Sequence, residues 1–181
     1  MKRVIVAPAA LSGAPLAELK DWLAIRTIHE DALLESRLRA ALDLCESFTG
    51  AMPLTQLCEE VVPAQRHPAV LTTVPVAALV DVRRLGLSGE RHSLDDSEYA
   101  FAIDADGAGR VQLTRPVEEQ RIAVRFIAGV APDWDSLDAG LRQGIIRLAA
   151  HYYGERGATD AASPPASVAA LWRPWRRLRL A

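Results

Sequence analysis

Apolar residues recur at steps of three and four early in the chain, at steps of two through its middle, and at steps of three and four again towards its end. The first pattern predicts helices. Pro15 can open a short one, with Leu16, Leu19 and Leu23 on one face. Thr27-Ile28-His29-Glu30 has the spacing of a capping box, in which the threonine accepts from orphan N–H groups and the glutamate reaches back. A long helix is therefore expected from about Ile28 to Phe48. Leu34, Leu38, Leu42 and Cys45 form its stripe, Leu33, Ala40 and Leu44 widen it, and Gly50 and Pro53 end it.

From Leu54 to Ala128 the period is two. Val76, Ala78, Val80 and Val82 alternate, as do Tyr99, Phe101 and Ile103. Val111 and Leu113 alternate with Arg110 and Gln112, and Ile122, Val124 and Phe126 with Arg121, Ala123 and Arg125. Ser88-Gly89, Asp95-Asp96, Asp106-Gly107 and Arg115-Pro116 supply turn chemistry between the runs. Short spacings with one polar face predict an antiparallel sheet.

Asp135 can cap a second long helix reaching about Tyr153, with Leu137, Leu141, Ile145, Leu148 and Tyr152 on one face. Gly140 and Gly144 lie beside that stripe. Each costs a helix about 1 kcal/mol against alanine, so the close approach of another backbone is the expected reason for them. Gly154 and Gly157 stop the helix, residues 157–165 read as a linker, and Ser163-Pro164 can start a last helix. Pro174 falls inside that helix and should kink it, because the carbonyl of Ala170 loses its donor. The fold class is then α+β: a small helical bundle (15–50 and 135–154) with an inserted antiparallel β region (54–128) and a C-terminal helical arm (157–181), read as one domain of 181 residues.

Charge sharpens the picture of the arm. Residues 161–181 hold four arginines and no acid, a charge of +4, while the other 160 residues carry 17 basic and 23 acidic side chains, a charge of −6. Val168, Leu171, Trp172, Trp175 and Leu178 make an apolar stripe, with Arg173, Arg176 and Arg177 off it. Such a segment can pack on its own core, lie on a membrane surface, grip DNA through its arginines, or dock into a protein groove. Docking fits best, because tryptophan and arginine are the commonest interface anchors. Leu171, Trp172, Arg173, Trp175, Arg176, Arg177 and Arg179 are the candidate docking residues, with the two tryptophans as anchors.

Other chemistry is thin. His29, His67, His92 and His151 are scattered, with no second ligand at metal spacing. Asp104 to Arg110 begins like a calcium loop but lacks the later ligands, so a tight turn is expected there. No dinucleotide fingerprint and no nucleophile–base–orienter set is found, so no cofactor and no catalysis are expected. Cys45 and Cys58 suit buried free thiols rather than a disulfide framework. The start, MKRVIVAPAALSG, faintly imitates a signal peptide, but Pro8 breaks its short apolar run. No stretch reaches the roughly 20 apolar residues of a spanning helix, so synthesis in the cytoplasm without membrane contact is expected.

Taken in order, these segments resemble the head–tail connector (adaptor, or head-completion) proteins of long-tailed phages and phage-like gene transfer agents. The likeness rests on LAELKDWLAIRTIHEDALLESRLRAALDLCESFTG, VPVAALVDV, IAVRFIAGVAPDW, LRQGIIRLAAHYYGERG and the ending PPASVAALWRPWRRLRL, and covers about residues 14–180. The first dozen residues, and Ser136-Leu137-Asp138 at the helix entry, depart from the family pattern. The resemblance implies a structural virion protein at the head–tail junction with no catalytic residue. It would form a ring of about twelve copies that binds the portal, extends the DNA channel and offers a surface to a stopper or tail-completion protein. Double-stranded DNA would pass through the lumen without specific binding. A reading of a different class is a DNA-binding accessory protein that uses the Arg/Trp tail.

Overall fold

The change of period along the chain becomes a change of architecture. The computed structural model describes residues 2–155 and 163–177. The chain forms two compact units, one helical (Ala9–Leu54 with Val130–Ala181) and one of β-structure (Met1–Pro8 with Thr55–Gly129). The fold class is α+β, as the periodicities imply.

The helical unit contains α1 (Ala14–Leu23), α2 (Asp31–Thr49), α3 (Ala139–Gly154) and α4 (Ala166–Trp172). Its core takes Leu16 and Leu19 from α1, Leu34, Leu38, Leu42 and Cys45 from α2, and Leu141, Ile145 and Leu148 from α3, all buried. Those are the stripes expected from the sequence, except that Leu33 and Ala40, expected to widen that of α2, are exposed. Pro15 sits in the first turn of α1, and Gly50, at φ 75°, ends α2 by donating its N–H to Glu46 O. Two caps differ from expectation. Glu30 does not close a box with Thr27; α2 begins at Asp31, and the Glu30 carboxylate accepts instead from the Tyr153 hydroxyl of α3 at 2.7 Å. Asp138, not Asp135, caps α3, its side chain accepting from Gly140 N at 2.7 Å. The preceding loop is held by Asp133, which accepts from Ser136 N at 2.8 Å.

The β unit has eight strands: β1 (Lys2–Ala7), β2 (Gln56–Pro63), β3 (Ala69–Val70), β4 (Val76–Leu85), β5 (Arg91–Ser93), β6 (Tyr99–Ile103), β7 (Gly109–Leu113) and β8 (Arg121–Ala128). They form a five-stranded antiparallel sheet, ordered β1-β2-β8-β4-β5, and a three-stranded one, ordered β3-β7-β6. β1 was not expected: the segment resembling a signal peptide is an edge strand paired with β2. The alternation read for β4 also fails at its start. Bulges between Val76 and Ala78 and between Leu79 and Asp81 shift the register against β8, so Val76 and Val82 are buried while Ala78 and Val80 are exposed. On β8 Ile122, Val124 and Phe126 are buried as expected, but Ala123 on the opposite face is fully buried too, so the alternation with a polar face is only partial. The Asp104–Arg110 stretch is a tight turn: Gly107, at φ 80°, donates its N–H to Asp104 O, and Asp104 pairs with Arg110 at 2.5 Å.

Two carboxylates of β2 organise this unit. Glu60 is fully buried and accepts from the N–H and hydroxyl groups of Thr72 and Thr73 at 2.6–2.9 Å, which ties β2 to the loop before β4. Glu59 on the opposite face receives Arg91 of β5 and Arg125 of β8, at 2.6 and 2.8 Å. Burial alone would raise the Glu59 pKa, but the two guanidinium groups outweigh it and hold the carboxyl below its ordinary value of 4.5. Neither cysteine forms a disulfide and both are buried, and burial pushes the Cys45 thiol far up, with Glu46 adding to the effect.

Two measurements check these roles. Glu60→Ala leaves four donors without an acceptor and should lower the unfolding free energy by roughly 3 kcal/mol or more in urea titration; Glu60→Gln should recover part of it. The Glu59 contribution, with its folded pKa depressed, is fully present above the unfolded value and fades as pH falls through the folded one. Glu59→Gln should therefore flatten the fall in melting temperature on acidification below about pH 4.5.

Candidate partner-docking arm

The arm is built on a small residue and a large one. Pro165 precedes α4, and Val168 and Trp172 are its buried positions. The α-helix stops at Trp172 instead of continuing with a kink, and Arg173–Trp175 form a 3-10 turn around Pro174, which supplies no donor to the Ala170 carbonyl. Trp172 has no exposed surface. Its indole covers Gly144 of α3, where a Cβ would lie 2.8 Å from ring atoms Cδ1 and Cε2 and would overlap Nε1. That N–H donates to Leu141 O at 3.3 Å, and the ring stands 6.0 Å from that of Phe48 on α2, tilted by 50°. The close approach that Gly144 permits is thus of an indole, not of a backbone. At Gly140 the backbone does approach, since the Leu171 carbonyl oxygen lies 3.5 Å from where a Cβ would be.

This geometry separates the candidate residues. Trp172 is a core residue and offers nothing to a partner in this conformation, because the indole that was to anchor a partner already fills the space over Gly144. Leu171 is half-buried against the same core. Arg173, Trp175 and Arg176 are exposed, Trp175 at 37%. Arg173 and Arg176 have no carboxylate partner among the described residues, and the Arg176 guanidinium lies 5.5 Å over the Phe48 ring. Arg177 is half-buried, and its N–H donates to Thr49 O at 2.8 Å, fastening the chain beyond the turn to the end of α2. Leu178, Arg179 and most of the expected linker lie outside the described residues. The arm therefore displays Arg173, Trp175 and Arg176 from a base locked by Trp172 and Arg177. The sequence carried one signal of the lock, a glycine in mid-helix on α3, without naming its partner.

Among the described residues no group of His, Cys, Asp or Glu converges as metal ligands would, and no helix is long and apolar enough to cross a membrane. No protein-family model and no curated protein matches the chain. Solved structures do. A chain in the neck of an empty GTA particle, computed with C6 symmetry, superimposes with a TM-score of 0.78 at 27% identity, over 100% of this chain and 98% of that one. This full-length likeness supports the head–tail connector type read from the sequence.

Chains in the virion of a native gene transfer agent (GTA) particle and in the neck of a native GTA particle computed with C12 symmetry match at TM-scores of 0.75 and 0.73. Both are 26% identical and cover 100% of this chain and 98% of theirs. The likeness thus spans both units and the arm of this connector-type chain, including the first residues, which the family pattern read from sequence left unmatched.

The lock and the display should respond differently to substitution. Gly144→Ala gains helix propensity but collides with the indole, and should destabilise by about 2 kcal/mol net. Trp172→Ala should cost about 3–5 kcal/mol, and Trp175→Ala under about 1 kcal/mol. Urea denaturation of the three variants, followed by far-UV circular dichroism, checks that order.

Proposed function

We propose that this chain is a structural, non-enzymatic virion protein: a ring-forming adaptor at the head–tail junction, present in about twelve copies. It binds the portal, extends the DNA channel, and offers its other end to a stopper or tail-completion protein. The observation that carries this reading is the full-length likeness to chains of a gene transfer agent neck, seen in structures computed with C6 and C12 symmetry. A subunit of such a ring needs head-to-tail surfaces and a separate surface for the next component along the axis. The arm suits the second purpose. Its exposed tryptophan, and two arginines without acidic partners among the described residues, suit a portal surface with an apolar notch and carboxylates. Arg177 and Arg179 extend the same basic segment. The −6 charge of the rest of the chain suits a lumen that DNA passes through without sticking.

A binding experiment tests this reading. The full-length protein and an Arg173→Glu/Trp175→Ala/Arg176→Glu variant, each mixed with the cognate portal ring, are weighed by native mass spectrometry. About one copy per portal subunit is expected for the natural chain. The variant should bind about 30-fold more weakly or worse, with its melting temperature nearly unchanged. Equal binding by the variant removes the arm from the portal contact. No portal binding by either, with a salt-sensitive shift of duplex DNA by the natural chain, favours the DNA-binding accessory role instead.

A further inference from the structure

The larger sheet of the β unit ends in two open edges. On one side β1 pairs only with β2, leaving its outer edge without a strand partner among the described residues. Along it Arg3, Val4, Val6 and Ala7 are exposed, Val4 at 50%. On the other side β5 covers β4 only over Arg83–Leu85. Leu94 N donates to Val82 O, and Val76 N donates to Gly107 O, so the stretch between them is bounded and has no strand partner on its outer side among the described residues. Ala77, Ala78 and Val80 are exposed there, Val80 at 49%. An exposed apolar strand edge presents N–H and C=O groups that seek a partner, and proteins cover or blunt such edges unless they are used.

We propose that these two edges pair with each other between copies: the outer edge of β1 in one copy adds to the Ala77–Asp81 edge of β4 in the next, extending the sheet around the ring. The inference rests on the ring reading above. Two observations choose a second copy of this chain as the occupant. The first is polarity. β1, β2, β8 and β4 alternate in direction, so β4 runs opposite to β1. A head-to-tail repeat leaves strand directions unchanged, so the β1 of the next copy meets β4 antiparallel and the alternation continues unbroken. The second is extent. A six-residue strand faces an open stretch of about the same length, apolar on both sides. The contact is heterologous, with different surfaces meeting, which is what ring closure requires. Bulges within both strands make each edge irregular and limit indiscriminate pairing with other sheets.

The test is a cross-link in the assembled complex. Full-length protein carrying Val4→Cys and Val80→Cys is bound to the cognate portal ring and treated with a short bis-maleimide. Native mass spectrometry of an untreated sample records whether the ring is present. A covalent ladder rising from dimer towards the full ring, absent from either single variant, is the expected result. A ring that forms but yields only uncross-linked chains overturns the edge pairing and leaves the ring reading standing. Absence of a ring on the portal overturns both. A second pair of variants guards against an effect of the cysteines. Val4→Lys/Val80→Lys should lower ring occupancy at least tenfold, and Val4→Lys/Val80→Asp should restore it; equal occupancy in all three chains also overturns the edge pairing.

Discussion

The indole of Trp172 lying on Gly144 is the contact on which the presentation of the arm depends. A side chain at position 144 would occupy the space of the ring, so the glycine is what lets α4 approach α3 this closely. The indole N–H then finds the Leu141 carbonyl, which a buried tryptophan needs if its polar atom is not to be stranded. With Trp172 fixed, the 3-10 turn around Pro174 has one orientation, and Arg177 secures its far side on Thr49. A segment whose composition suggests a loose basic tail is, over its described part, a docked element. Preorganisation of this kind lowers the ordering cost that a flexible arm would face on meeting a partner.

The β unit is organised by a different principle. Its sheet buries charge rather than only apolar surface, and each buried carboxylate of β2 is matched to donors from more distant parts of the chain. Removal of a partner leaves an uncompensated group, so these contacts specify the positions of the loop before β4 and of β5 strongly. The same sheet leaves its outer rows open.

Much of this was legible in the sequence because it depends on local periodicity. Leu34, Leu38, Leu42 and Cys45 lie on the buried face of α2, and Ile122, Val124 and Phe126 on that of β8, as spacing alone requires. What was not legible depends on tertiary partners. Glu30 has the right spacing for a capping box, yet the Tyr153 hydroxyl, far along the chain, takes its carboxylate. The β4 bulges arise from register against β8, which no pattern within β4 reveals. β1 reads as a leader-like run, because a short apolar edge strand and a short apolar leader share composition. In the arm, helical spacing placed Val168, Leu171 and Trp172 together correctly but could not divide them from Trp175. Which of two tryptophans is buried depends on where α3 lacks a side chain. The family resemblance was legible because order and spacing of elements survive where individual residues do not, and the match over both units at 26–27% identity bears it out.

The most direct test of the account is a cryo-electron microscopy reconstruction of the neck of particles assembled with this chain. The account predicts a closed ring of this protein between portal and tail, with Trp172 still seated on Gly144 and the Arg173–Trp175 turn against the portal. A neck lacking the chain, or a ring whose arms point away from the portal with the Trp172 indole withdrawn from α3, would contradict it.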